Sequence, residues 1–245
     1  MTALVYGLHA VEALLQRRAA KVDELYVAVG RRDERLRQIV AVARRAGIPV
    51  DERPAAELDA LCASGRHQGV VARVSASATL GAGALDDLLD GAGAEPLLLV
   101  LDGVQDPHNL GACLRTADAA GVTCVIVPRD RAAGLSAAVR KVASGAAESV
   151  PLVQVVNLAR TLRGLRERGI WVAGTDAEAD QTLYSADLRG PLAIVMGAEE
   201  SGLRRLTREN CDLLVRIPMS GAVASLNVSV AAGVLLFEAV RQRQR

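Results

Sequence analysis

Residues 217–229, I-P-M-S-G-A-V-A-S-L-N-V-S, lead into the last helix of the chain and are the most informative stretch for its fold. The helix predicted over 226–242 carries Glu238 as its only charged residue up to position 240. A helix that is apolar all round is expected to be buried on every face. Ser225 is predicted to begin it, with Asn227 and Ser229 just inside. Polar groups at the N-terminus of a buried helix suit a polar ligand, although a well-capped core helix explains them equally well.

Two further segments end a strand with polar residues. The first, 101–121, reads L-D-G-V-Q-D-P-H-N-L-G-A-C-L-R-T-A-D-A-A-G and follows an apolar strand, with Asn109 at or before a helix start and Arg115 off its apolar stripe. The second, 193–203, reads A-I-V-M-G-A-E-E-S-G-L, and its strand stops at Gly197 just before Glu199. Ligands of open α/β sheets gather outside the carboxyl ends of strands, so we expect these loops to converge there.

The remaining chain divides into two α/β regions. Residues 1–75 show helical spacing over 8–18 and 33–46 and short strands at 25–29, 48–50 and 69–74. Residues 76–95, rich in glycine and acidic groups, are predicted to be a linker with a short helix at 85–89. In 96–245 we predict strands at 97–101, 122–127, 152–156, 170–174, 192–196 and 213–217, and helices at 109–120, 135–147, 158–168, 204–210 and 226–242. This alternation predicts a parallel sheet covered by helices.

Composition excludes several classes of protein. No apolar run reaches the length of a membrane span and no secretory signal is evident. Four scattered cysteines suit a reduced, cytoplasmic protein, and three widely spaced histidines argue against a structural metal site. The net charge of +1 argues against a non-specific nucleic-acid binder. No G-x-G-x-x-G follows a strand, and Leu203 stands where a P-loop needs lysine, so neither NAD nor ATP is favoured.

The three loop segments resemble the motifs of the SpoU (TrmH) family of RNA ribose 2'-O-methyltransferases, in the SPOUT class. The motif N-x-G-x-x-x-R corresponds to Asn109–Arg115, G-x-E-x-x-G-L to Gly197–Leu203, and I-P-M-x-G-x-x-x-S-L-N-V-S-x-A to Ile217–Ala231. The opening Y-G-L-H-A-V-E-A-L-L at 6–15 is similar to the start of the family's substrate-binding domain. The resemblance implies a trefoil-knotted methyltransferase domain over 96–245, an RNA substrate-binding domain over 1–75, S-adenosylmethionine as cofactor, a homodimer, and a ribosomal RNA substrate.

The resemblance also implies a set of site residues. It places Arg115, Asn109, Glu199, Ser225 and Asn227 in the catalytic site and Gly197, Ile217, Met219 and Leu226 around the cofactor. The family assigns the arginine a catalytic role, sometimes as general base; a guanidinium hardly ever loses its proton, so we favour a phosphate clamp that stabilises the developing alkoxide.

Each of these residues also has a structural interpretation. Arg115 could pair with Asp118 at the helix surface. Asn109 could cap its helix, and Glu199 could be a loop carboxylate near Arg204 and Arg205. His108 is a less favoured general base, because the family motif does not fix histidine there.

Base stacking on a platform of Phe and Tyr is largely unavailable for RNA contact, because aromatic residues make up only 2% of the chain. The densest basic cluster contains Arg31, Arg32, Arg35, Arg44 and Arg45, which is either an RNA contact or a solvated face. The resemblance implies 2'-O-methylation of the ribose of a guanosine in 23S rRNA. A tRNA ribose methyltransferase, a resistance enzyme acting on another rRNA loop, and a non-catalytic RNA-binding assembly factor remain alternatives.

Overall fold

The computed structural model describes residues 2–19, 22–31, 33–62, 67–75, 79–199, 201–223 and 225–244. The chain separates into two compact units, 1–77 and 78–245. Arg32 of the predicted basic cluster and the first part of the predicted linker, 76–78, lie outside the described residues.

The first unit is a four-stranded sheet with three helices. Its elements are β1 (Thr2–Tyr6), α1 (Leu8–Arg18), β2 (Val22–Ala28), α2 (Glu34–Arg45), β3 (Val50–Arg53), α3 (Ala55–Cys62) and β4 (Val70–Ser75). The order is β1-β4-β2-β3, with only β2 and β3 parallel. The predicted helices and the strands predicted at 25–29 and 69–74 are present, whereas the strand predicted at 48–50 is displaced to Val50–Arg53, and β1 and α3 were not predicted. Apolar residues of α1, α2 and the sheet, including Val11, Leu25 and Ile39, form its core.

The second unit is an entirely parallel seven-stranded sheet. Its elements are β5 (Leu80–Gly81), α4 (Ala84–Asp90), β6 (Leu97–Asp102), α5 (Pro107–Ala119), β7 (Cys124–Pro128), α6 (Ala137–Ala143), α7 (Ala146–Ser149), β8 (Leu152–Val155), α8 (Leu158–Glu167), β9 (Trp171–Thr175), β10 (Leu192–Gly197), α9 (Arg205–Glu209), β11 (Leu213–Val215) and α10 (Val228–Arg243). The strand order is β11-β9-β10-β6-β7-β8-β5. All carboxyl ends therefore meet at one edge of the sheet, as the alternating pattern predicted.

The segment predicted as a linker is built into this second unit over much of its length. Leu80 and Gly81 pair with β8, and Leu85 and Leu89 of α4 are buried in a core cluster with α8. Two leucines four residues apart put their apolar faces on one side of a short helix, and burying each contributes roughly 1.5–3 kcal/mol. The prediction of a linker from the glycine content is therefore wrong for the part of this segment whose leucines are buried.

The last helix is buried on one face only, which corrects the prediction of burial on every face. Ala232, Leu235, Leu236 and Ala239 are buried in the main core, whereas Val230 and Phe237 are 53% and 49% exposed in the single chain. The helix also begins at Val228 rather than near Ser225. No helix in the described part of the chain is both long and apolar enough to cross a membrane.

Candidate active site at the carboxyl edge

Three of the predicted residues meet in one hydrogen-bonded group, which we call the amide junction: Asn109, Glu199 and Asn227. The Asn109 Nδ2 donates to Glu199 Oε1 at 2.8 Å, and the Asn227 Nδ2 donates to the same oxygen at 2.9 Å. The Asn227 Nδ2 also donates to Asn109 Oδ1 at 2.9 Å. The loops after β6, β10 and β11 are thus joined by side chains up to 118 positions apart. The predicted convergence of these three loops is present.

Asn227 has a structural task as well. It is the N-cap of α10, and its Oδ1 accepts hydrogen bonds from Ser229 N at 2.9 Å and Ser229 Oγ at 2.6 Å. The Val228 N–H, another free donor of the first turn, approaches Glu199 Oε1 at 3.4 Å. The start of α10 therefore directs its unpaired backbone and amide donors at one carboxylate.

Asn109 does not cap its helix, which corrects one of the two interpretations of this residue. Asp106 is the N-cap of α5, and its carboxylate accepts from His108 N at 3.1 Å and Asn109 N at 3.2 Å. Asp followed by Pro107 at the first helical position is a signal that the sequence carried and that we missed. The Asn109 side chain is thereby left to join the junction.

Ser225 does not begin the last helix, contrary to the prediction. It lies exposed, two residues before the N-cap, and its hydroxyl has no hydrogen bond within the described residues. The structure therefore leaves Ser225 at the rim of the loop without a bonded role, next to Ala224, which is outside the described residues.

Arg115 lies on α5, on the same helix as Asn109, and is exposed. No ion pair with Asp118 is present, and the Arg115 guanidinium has no hydrogen-bond partner among the residues described. Asp118 instead accepts from Ser149 Oγ at 2.7 Å. The surface-pair interpretation of Arg115 is therefore wrong, and the guanidinium is available to a ligand. His108 is exposed, and its ring also has no partner in the described chain that would orient it as a base.

Glu199 does not pair with Arg204 or Arg205, which corrects its structural interpretation. Arg205 binds Glu209 at 2.6 Å. Arg204 binds Asp102, the buried last residue of β6, which accepts from Arg204 N at 3.0 Å and from Arg204 Nε at 2.5 Å. We call this pair the Asp102–Arg204 clamp. Sequence reasoning missed it, although a lone carboxylate ending an all-apolar strand was a usable signal.

The loop that carries Glu199 is a tight turn. Ala198 and Gly202 exchange two backbone hydrogen bonds of 3.1 and 2.9 Å, with Gly202 at φ +61°. A Cβ on Gly197 would collide with the backbone of Gly202 and Leu203. Glycine is therefore required at position 197, where the backbone of β10 and that of the turn touch.

The other predicted cofactor residues line the loop that follows β11. Ile217 packs against the main core, Leu226 is half-buried, and Met219 is 37% exposed. These apolar side chains lie on the chain between β11 and Asn227, the N-cap of α10. No group of three or more potential metal ligands is found in the described residues.

Comparisons with known proteins agree with this geometry. The model of the SpoU rRNA Methylase family matches residues 96–237. The chain belongs to this family. A second family model, RNA 2'-O ribose methyltransferase substrate binding, matches residues 4–80. The resemblance predicted from the three motifs is confirmed.

Relatives of this SpoU family member match along nearly the whole chain. A Pseudomonas aeruginosa protein named 23S rRNA (guanosine-2'-O-)-methyltransferase RlmB is 60% identical over 239 residues, covering 98% of this chain and 96% of that protein. Among solved structures, the SpoU methyltransferase AviRb from Streptomyces viridochromogenes in complex with AdoMet is 26% identical with a TM-score of 0.74, over 98% of this chain and 90% of that one. An A. aeolicus TrmH/SpoU tRNA modifying enzyme is 29% identical with a TM-score of 0.57, and covers 66% of this chain and 83% of its own.

Proposed function

We propose that the protein methylates the 2'-hydroxyl of a guanosine in 23S rRNA, with S-adenosylmethionine as the donor. The amide junction is the observation that carries this proposal, because it joins all three family motifs at the edge where α/β sheets bind ligands. Relatives with this reaction in their name match both units of the chain. The tRNA enzyme matches a smaller share of it, which favours rRNA over tRNA.

The residues at this edge fit the cofactor chemically. When bound, S-adenosylmethionine supplies an electrophilic methyl group on a cationic sulfur. The Glu199 carboxylate is held by neutral donors only, so it keeps a negative charge that suits a cationic ligand. The backbone around Gly197, Ile217 and Leu226 and the apolar Met219 side chain are proposed to hold its adenosine.

Arg115 is proposed to bind the phosphate next to the target ribose and to stabilise negative charge on the reacting oxygen. Its guanidinium is exposed and unpaired within the described residues, so it can bind an anion without first breaking a salt bridge. A guanidinium stays protonated at any physiological pH, which makes it a clamp rather than a base. Asn109, Glu199 and Asn227 are proposed to organise the loops, with Ser225 contacting substrate at the rim.

The first unit is proposed to bind the RNA, as the substrate-binding family match suggests. Parts of the predicted basic cluster are already paired, since Arg31 binds Asp33 and Arg35 binds Glu12. Arg44 and Arg45 are exposed at the end of α2, and their guanidinium groups have no salt-bridge partner in the described chain. These two arginines are therefore the members of the cluster best placed to contact phosphate.

A homodimer is proposed through the exposed face of α10. Val230 and Phe237 are spaced seven residues apart and share one face with the half-buried Val234. Exposed apolar side chains on one helix face are typical of an interface.

We further propose that the enzyme is cytoplasmic and that its second unit contains a trefoil knot. The path from β10 back past β9 to β11 is compatible with such a knot.

Methyl transfer to RNA from cells lacking the enzyme tests the proposal. Purified protein and labelled S-adenosylmethionine are incubated with total RNA, and the labelled nucleotide is mapped. Label on a guanosine ribose of 23S rRNA is the expected result. Label in tRNA or at another rRNA site would replace the substrate, and binding without transfer would leave an RNA-binding assembly factor.

A further inference from the structure

A second surface lies at the opposite edge of the seven-stranded sheet, where β9 and β11 begin. A groove of about 500 Å³ opens there, lined by Trp171, Ile170, Arg163, Arg166, Glu167 and Asp212. Because the sheet is parallel, this edge is remote from the carboxyl ends that carry the amide junction. The groove therefore has no part in the proposed methyl transfer itself.

Trp171 is the unusual residue of this groove. It is the only tryptophan of a chain with five aromatic residues, and it is 58% exposed although β9 lies between β10 and β11. Tryptophan is highly buried on average, so an indole left open beside a groove is unexpected for packing alone. A flat, exposed aromatic face is the surface on which unpaired nucleic-acid bases stack.

Helix α8 adds unpaired positive charge beside the indole. It carries Arg160, Arg163 and Arg166 against one acidic residue, Glu167. Arg166 Nε binds Asp212 Oδ1 at 2.7 Å, while Asp212 Oδ2 accepts from Val172 N at 2.9 Å, so that carboxylate is engaged on both oxygens. The guanidinium groups of Arg160 and Arg163 have neither ion pair nor hydrogen bond within the described chain, and Arg163 lines the groove.

We propose that this groove binds a single-stranded segment of the RNA substrate, with one base stacked on Trp171 and a phosphate at Arg163. The inference rests on the proposed function, because it takes RNA to be the substrate. An unpaired cation next to an exposed aromatic face suits an anionic chain with unstacked bases better than a neutral peptide. Contact at this edge would add affinity for a long RNA without touching the reacting ribose.

The single tryptophan allows a direct test. The emission of Trp171 is followed while single-stranded RNA of about 12 nucleotides and mixed sequence is added without S-adenosylmethionine. We expect saturable quenching by this RNA and far less by a duplex of the same sequence. Replacing Trp171→Ala is expected to weaken binding roughly tenfold, measured with labelled RNA. Arg163→Ala is expected to lower the slope of log affinity against log salt by about 0.7.

Matched variants and readouts separate the outcomes. Tyr184→Ala removes another exposed aromatic residue, 60% exposed, and is expected to leave affinity and quenching unchanged. The inference is overturned if the Trp171 emission does not change at a saturating RNA concentration. It is also overturned if Trp171→Ala binds the RNA as tightly as the wild-type protein does. A change of molecular mass in Trp171→Ala would also overturn it, in favour of an interface between copies. If RNA quenches the wild-type emission but no methyl group is transferred, only the proposed function is wrong. If methyl transfer occurs without quenching, only this inference is wrong.

Discussion

The Glu199 carboxylate of the amide junction is exposed and bonded by side-chain amides and a backbone N–H, whereas the Asp102 carboxylate of the clamp is buried against a guanidinium. Both lie at the carboxyl edge of the same sheet. Arginine cancels the charge of its partner, while neutral donors fix a carboxylate in place without cancelling its charge. The clamp therefore holds the loop after β10 in place, and the junction leaves a negative charge at the tip of that loop.

Arg115 takes part in neither the junction nor the clamp, and its loss should have the largest effect. Arg115→Ala is expected to lower the single-turnover rate about 1000-fold, since one lost donor to a developing anion costs 100- to 1000-fold. Arg115→Lys should keep measurable activity with little change in pH profile. If the lysine variant binds both substrates yet is as inactive as the alanine variant, the phosphate-clamp role is wrong.

Glu199 separates the geometry of the junction from its charge. Glu199→Ala removes the shared acceptor and is expected to lower kcat/KM by about 100-fold, the scale for a misplaced catalytic group. Glu199→Gln keeps one acceptor oxygen and removes the charge, so it should lose less activity than the alanine variant while binding the cationic donor more weakly. Equal losses in the two variants would show that the charge, rather than the bonding, is what the site needs.

Gly197→Ala tests the close contact between β10 and the turn that carries Glu199. The added Cβ of Gly197→Ala must push the backbone of the Glu199 turn away, and we expect affinity for S-adenosylmethionine to fall roughly tenfold, measured by calorimetry. Gly164→Ala is the matched control, because its Cβ would meet open space on α8. That control should bind the cofactor normally and gain about 0.5–1 kcal/mol of stability. Normal binding by the Gly197 variant would argue against a cofactor site at this turn.

The clamp itself is expected to matter for stability more than for catalysis. Asp102→Asn keeps one acceptor oxygen, and the half-exposed Arg204 can be hydrated, so urea unfolding should show a loss of about 1 kcal/mol. A matched Asp187→Asn change removes an exposed pair with Arg189 and should cost less. A larger fall in methyl transfer than in stability would move the clamp into the catalytic machinery.

The smallest expected effect is on Cys113, because the charge of Glu199 contributes to the pKa of its thiol. Burial first, and then the negative charge of Glu199, raise the pKa of Cys113 to about 12, while burial alone raises the pKa of Cys124 to about 12. Each buried thiol therefore stabilises the fold below the ordinary thiol pKa, and this contribution is lost as the pH rises towards 12. In single-cysteine variants, Glu199→Gln should speed alkylation of Cys113 between pH 8 and 10 and leave Cys124 unchanged. Equal rates at Cys113 would show that its burial, and not the junction, sets its pKa.

Much of the second unit could be predicted from the sequence because its strands are continuous apolar runs. β6 and β10 read L-L-L-V-L-D and L-A-I-V-M-G, and both were placed within a residue of their observed bounds. The errors occurred where neighbouring polar residues compete for one task. Asp106 and Asn109, like Ser225 and Asn227, are both good N-caps, and only the three-dimensional position of Glu199 decides which amides are drawn into the junction.

The sequence separations within the junction have a consequence for biosynthesis. Asn109 lies 90 positions before Glu199 and 118 before Asn227, so the site needs contacts between distant parts of the polypeptide. Closing such long loops is slow compared with forming local helices. A chain still emerging from the ribosome, or one cut short before the last helix, therefore lacks the complete junction, and the ability to modify RNA arises only at the end of folding.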